Sequence, residues 1–279
     1  MALLPSGASA LTISSFDDCL REGATCDLKR LGFVDAYGLM GLACALETAP
    51  SDADIHVDLP SNQGMRNHLT RMGMREYLSR IGSAERLPSS PPFEESEVVV
   101  PLRTATEAGG EQALANLLWA QLREHVDPQV LQAISEGVWE MVGNALEHSG
   151  ADALLTAHVY REVRGGRPPH HDDRVQVVIG DTGRGILGSF VESGSHSPRD
   201  DTAAIDLALE YLVTSVLDDP GRGQGLSTTM EQVIGLRGMM VVRSGAGKVT
   251  IDNAGERRRE AVPNIPGVMV ALSLPLYPG

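Results

Sequence analysis

Apolar residues recur along this chain with two different periods, and the switches between them divide it into elements. From residue 34 to 48 they return every three or four positions, with Leu39, Leu42, Ala43 and Leu46 on one face, which predicts a helix. Residues 10–13 and 26–31 are short strand candidates before it, and residues 55–59 alternate as a strand that stops at Pro60. Residues 63–72 and 75–81 read as two helices interrupted at Gly73. The pattern then lapses across residues 87–97, where Pro88, Pro91 and Pro92 alternate with serines and give way to acidic positions. Such a stiff, solvated connector predicts a boundary between an N-terminal α/β unit (1–86) and a C-terminal unit (98–279).

The second unit opens with a strand over residues 98–102 and two long helical patterns, 111–125 and 128–148. Asp127 suits a helix N-cap and Pro128 the first helical position. Residues 151–164 and 174–180 read as paired strands, with Val175, Val177 and Ile179 alternating, joined by a polar, proline-rich connection. Helices over 202–214 and 226–236 and strands over 239–244, 248–252 and 268–274 complete the pattern. This order predicts an α+β sandwich in which helices cover one face of a mixed sheet.

At 279 residues and 42% hydrophobic content, the chain is long enough for one large or two modest cores. Its net charge of -14 argues against a broad nucleic-acid surface. No stretch has the apolar length to cross a bilayer, and residues 1–5 lack the basic leader of a secretory signal. Cys19, Cys26 and Cys44 lack metal-binding spacing and read as reduced structural thiols. Together these predict a cytoplasmic protein with neither membrane nor nucleic acid as partner.

Three clusters carry candidate chemistry. Glu140, Asn144 and His148 are four residues apart and share one helix face, beside an apolar face of Ile134, Val138, Met141 and Ala145. The asparagine carbonyl oxygen is a hard ligand suited to Mg²⁺, and a carboxylate one turn earlier can orient or deprotonate a water or hydroxyl. A solvated polar face has the same spacing, so this helix alone leaves both readings open. Asp181 follows a strand directly and precedes Gly183 and Gly185. Such a carboxylate can accept a hydrogen bond from an adenine amine while the glycines let the backbone approach a flat ring. Gly221, Gly223 and Gly225 precede the helix at Leu226, a placement that turns free backbone amides toward a phosphate. No strand leads into that turn and no P-loop lysine follows it.

Taken in order, these clusters resemble the N box and the two glycine boxes of the GHKL superfamily of gyrase-type, chaperone, histidine-kinase and MutL-type ATPases. The resemblance covers roughly residues 108–276. It implies a Bergerat-type α/β sandwich that binds ATP with Mg²⁺. Glu140 would be the general base or water-orienting group and Asn144 the Mg²⁺ ligand, with Asp181 anchoring the adenine. His148, Gly183, Gly185, Ile186, Gly221, Arg222, Gly223, Gln224, Gly225 and Leu226 would complete the nucleotide pocket, and residues 186–220 would form a mobile lid. Many relatives carry threonine where this chain has Val268, which removes one expected adenine contact. The resemblance implies an ATPase or an anti-sigma-type serine/threonine kinase with a regulatory protein partner, or a non-hydrolysing ATP-gated interaction module. Relatives often form homodimers.

More weakly, Asp35, Ala36 and Gly38 resemble the turn of STAS domains, although phosphorylated members have serine where Ala36 stands. Asp35 as a plain helix N-cap is the simpler expectation. His170 and His171 read as part of a solvated loop, as does the basic run from Glu256 to Glu260.

Overall fold

The computed structural model describes residues 2–50, 55–80, 87, 99–107, 109–161, 173–210 and 225–278. The chain begins with β1 (Ala2–Pro5), β2 (Ala10–Leu11), a 3₁₀ turn (Asp17–Cys19), β3 (Leu20–Gly23), β4 (Thr25–Asp27) and β5 (Phe33–Val34). The buried helix α1 (Ala36–Glu47) follows, then β6 (His56–Asp58), α2 (Gln63–Arg71) and α3 (Met74–Arg80). After the connector come β7 (Val99–Ala105), α4 (Gly110–Leu122), α5 (Pro128–Asn144), a π-helical turn (Ala145–Ser149), β8 (Ala153–Tyr160) and β9 (Arg174–Gly180). The chain closes with α6 (Gly185–Ser193), α7 (Asp201–Ala208), α8 (Gly225–Gly235), β10 (Met239–Ile251) and β11 (Arg257–Pro275). The architecture is α+β.

Five strands form the central sheet in the order β10-β11-β9-β8-β7, and every pairing is antiparallel. The expected mixed sheet is therefore corrected: the parallel pairs, β2 with β5 and β4 with β6, lie in separate two-stranded ladders of the N-terminal segment. The expectation of helices on one face is corrected as well. Leu155, Ala157, Val175, Val177 and Ile179 face a core shared with α4 and α5. The intervening Leu154 and Val178 face a second core built with α1 and the N-terminal strands. The near-continuous burial along β8 and β9 is what a strand covered on both sides requires. The N-terminal segment thus shares its core with the sheet across the connector, whose residues 88–98 lie outside the described ones.

Helix α1 explains this cover. Residues from Ala36 through Leu46 are all buried, so the helix is apolar around its whole circumference and needs packing on every side. Its first turn also presents backbone N–H groups that no helical carbonyl can satisfy. Asp35 accepts from the Gly38 amide at 2.7 Å, as the N-cap expectation had it, while Tyr160 Oη and Gln176 Oε1 accept from Ala36 and Tyr37 at 3.0 and 3.2 Å. Two of the three acceptors belong to sheet strands, so capping also fixes the helix on the sheet. A second tie lies nearby: Asp17 accepts from Arg243 Nε at 3.2 Å and from Lys248 Nζ at 2.9 Å, all three well buried.

Smaller differences have local causes. β10 runs unbroken through the two strands expected at 239–244 and 248–252 because bulges at Ser244, Gly245 and Gly247 absorb the irregularity. The basic run begins β11 rather than forming a loop, since residues 257–260 pair with residues 248–251 and Asp206 takes up Arg257 and Arg259. The lid expected over 186–220 contains helices α6 and α7, with residues 211–220 outside the described ones. Tyr160→Phe leaves the Ala36 amide without its acceptor and is expected to lower unfolding free energy by about 1–3 kcal/mol in urea titrations. An unchanged midpoint would show that the cap contributes nothing to docking.

Candidate functional site

Helix α5 buries Val130, Leu131, Ile134, Val138, Met141 and Val142 against the sheet, which turns its neighbouring face, with Glu140 and Asn144, toward a cavity of about 740 Å³. The Asn144 amide donates through Nδ2 to Glu140 Oε1 at 3.4 Å, a bond that does not use its carbonyl oxygen Oδ1. The expected continuous helix to 148 does not form. After Asn144 the backbone widens into the π turn Ala145–Ser149, which takes His148 off the four-residue spacing, yet His148 still lines the cavity.

The opposite wall is the end of β9. Asp181 is 4% exposed, and its Oδ1 accepts from the Gly183 amide at 2.8 Å. Burial pushes its carboxyl up to about 6, against the pull of the Gly183 and Val268 amides. Gly183 stands where the turn presses on the π turn: a Cβ there would lie 2.2 Å from the Ser149 carbonyl oxygen. Gly185 and Ile186 start α6 on the cavity rim, and Val268 and Val270 add apolar floor.

Gly225 and Leu226 bring the start of α8 to the third side. A Cβ on Gly225 would fall 2.2 Å from Glu140 Oε1, so the Glu140 carboxylate sits directly against the first turn of α8. The helix dipole favours negative charge at that place. Farther along, Gln232 donates to Glu136 at 2.7 Å and Gln132 donates to the same carboxylate at 2.8 Å, clamping α8 to α5. These bonds hold the Glu136 carboxyl below its usual range.

The structure therefore gathers Glu140, Asn144, His148, Asp181, Gly185, Ile186, Gly225 and Leu226 around one cavity, with Gly183 behind the Asp181 turn. Gly221, Arg222, Gly223 and Gln224 lie outside the described residues, as do His170 and His171. Two positioning residues had no signal in the sequence. Ser149 offers its backbone carbonyl to the Arg184 amide at 3.1 Å, and Ser244, distant in the chain, accepts from the Ile186 amide at 2.9 Å through Oγ. Both act on backbone groups of the glycine turn, a role that carries no motif.

The cavity's charge is lopsided. Glu107, Glu111, Glu136, Glu140, Glu147 and Asp181 line it, and among the described residues no lysine or arginine does. An anionic ligand would enter this space with its own counter-charge. Among the described residues no cluster of three or more His, Cys, Asp or Glu side chains is arranged to hold a metal ion unaided, and no helix is long and apolar enough to cross a membrane. Comparison of the chain with protein-family models and with curated proteins found no match in either.

Because burial pushes the folded carboxyl of Asp181 up to about 6, above the ordinary 3.8, the folded state binds the extra proton in the interval between them. Stability contributed by that proton is complete below the lower value and is lost as pH rises through about 6. An ionised Asp181 at neutral pH then costs up to roughly 3 kcal/mol. Asp181→Asn keeps an oxygen for the Gly183 amide and is expected to unfold about 1–3 kcal/mol later near neutral pH, with the gain fading toward about pH 4. Equal stability of the two proteins at every pH would show that burial imposes no charge penalty there.

Proposed function

We propose that the cavity binds ATP as its Mg²⁺ complex, in the manner of GHKL-type ATP-binding proteins. The observation that carries this is the convergence of three separated motifs on one cavity whose far wall holds a buried carboxylate. Asp181 would accept the adenine amine, with Ile186, Val268 and Val270 against the ring. The phosphates would lie toward the start of α8, where the helix dipole favours negative charge. The many carboxylates lining the cavity favour the metal-bound nucleotide over the free polyanion.

Mg²⁺ fits the oxygen that Asn144 presents, and when bound it would neutralise phosphate charge. Glu140, one turn earlier and beside the α8 start, is placed to orient or deprotonate the attacking water or hydroxyl. The reaction class is ATP hydrolysis or transfer to a serine or threonine of a protein partner. The shared core between the N-terminal segment and the sheet favours a second reading, an ATP-gated interaction module with little turnover. The STAS-like character of that segment remains part of this proposal.

The test is calorimetry with ATP, with and without Mg²⁺, on wild type, Asp181→Asn and Glu140→Gln, with turnover measured on the same samples. Wild type is expected to bind only with Mg²⁺, and binding should weaken as pH falls through about 6, because protonation removes the charge that makes Asp181 a strong acceptor. Asp181→Asn is expected to lose at least about tenfold in affinity. Glu140→Gln is expected to bind and not turn over. Normal ATP binding by Asp181→Asn would sink the assignment, and normal turnover by Glu140→Gln would favour a different base.

A further inference from the structure

The wall that holds Asp181 has a back, and the N-terminal segment is built onto it. Along β9 successive residues alternate between faces, so the side of Gly180 where a Cβ would stand meets α1, while its backbone borders the cavity together with Asp181. At Gly180 the helix and the strand come together: a Cβ placed there would lie 3.0 Å from Met40 Sδ and 3.2 Å from Met40 Cγ. Met40 is fully buried, and its neighbours in that core include Leu154, Val178 and Met269 of the sheet. The caps from Tyr160 and Gln176 pin the start of α1, so Met40 meets the strand end at a fixed height. One turn farther, Cys44 also faces this end. Its thiol is pushed up first by burial and then by the charge of Asp181.

We propose that Met40 is a positioning residue for Asp181: it backs Gly180 and thereby sets where the carboxylate stands in the cavity, making α1 a built-in control on ligand affinity. This rests on the ATP reading for its ligand, and on the geometry alone for its effect on Asp181. Removing the Met40 side chain leaves a void into which the strand end can relax, because a close-packed core rarely collapses fully around a deletion. The Asp181 turn would then shift relative to α5, α6 and α8, which carry the other walls of the cavity.

The experiment uses the full chain with Met40→Ala, Met40→Leu and Gly180→Ala. Three quantities are read: Mg-ATP affinity by calorimetry, thermal midpoint, and the titration of the Asp181 carboxyl followed by ¹³C NMR and assigned by its loss in Asp181→Asn. Met40→Ala is expected to stay folded, to weaken Mg-ATP by about tenfold, and to move the Asp181 titration toward the ordinary carboxylate range as water reaches the turn. Met40→Leu, which keeps most of the volume, should restore affinity and titration together. A lower thermal midpoint with unchanged affinity and unchanged titration would reduce Met40 to packing and overturn the proposal. Should Met40→Ala fail to fold, Gly180→Ala presses the same joint from the other side, and an unmoved Asp181 titration in that variant overturns it equally. If wild type binds no Mg-ATP, the ATP reading fails, while the Asp181 titration still decides the role of Met40.

Discussion

A helix that is apolar on all sides cannot sit on a surface, and that constraint shapes this molecule. From Ala36 to Leu46 helix α1 offers no face to water. Each large side chain it buries contributes on the order of 1.5–3 kcal/mol, so the set outweighs any single polar contact in the segment. That burial is available only if the sheet lends one wall and the N-terminal strands the other. The sheet in turn has apolar residues on both faces and needs a second cover. Polar contacts then select the register. Tyr160 and Gln176 reach from the sheet to the helix start, and Asp17 reaches from the N-terminal segment to Arg243 and Lys248. Breaking one partner of such a buried ionic group is costly, which makes it an effective specifier of one arrangement.

The candidate site occupies the other face of the same sheet, and strand β9 is one place where the two halves of the molecule meet. One residue of that strand, Gly180, touches α1, and the next, Asp181, holds the cavity's buried carboxylate. The position is unfavourable for the fold, because desolvation opposes the ionised form. Sites that recognise ligands often hold such groups, and the surrounding core must over-determine their placement. Here that support comes from the Gly183 amide, from the Ser149 carbonyl gripping the following turn, and from the packing behind the strand.

Much of this was legible in the sequence. The α5 residues Ile134, Val138 and Met141 point inward as their spacing requires, and Asp127 and Asp35 cap the helices they precede. Most of the candidate residues sit at or near an element boundary, where a glycine or a polar residue at regular spacing leaves a mark. What was not legible depended on distant partners. Alternating strand patterns suggested one covered face, but Leu154 beside Leu155 and Val177 beside Val178 already satisfied both faces, and only the fold says what covers the second. The π turn after Asn144 has no local signature, and its Ser149 carbonyl meets the turn that follows Asp181. Ser244 reaches Ile186 across 58 residues of chain, beyond any periodicity.

The account stands or falls on where a nucleotide lies. A crystal structure of the protein with Mg²⁺ and a non-hydrolysable ATP analogue measures this directly. The expected result is the adenine amine within hydrogen-bond distance of the Asp181 carboxylate, with the metal on Asn144 and the phosphates at the start of α8 beside Glu140. A nucleotide bound elsewhere, or a base turned away from Asp181, would contradict it.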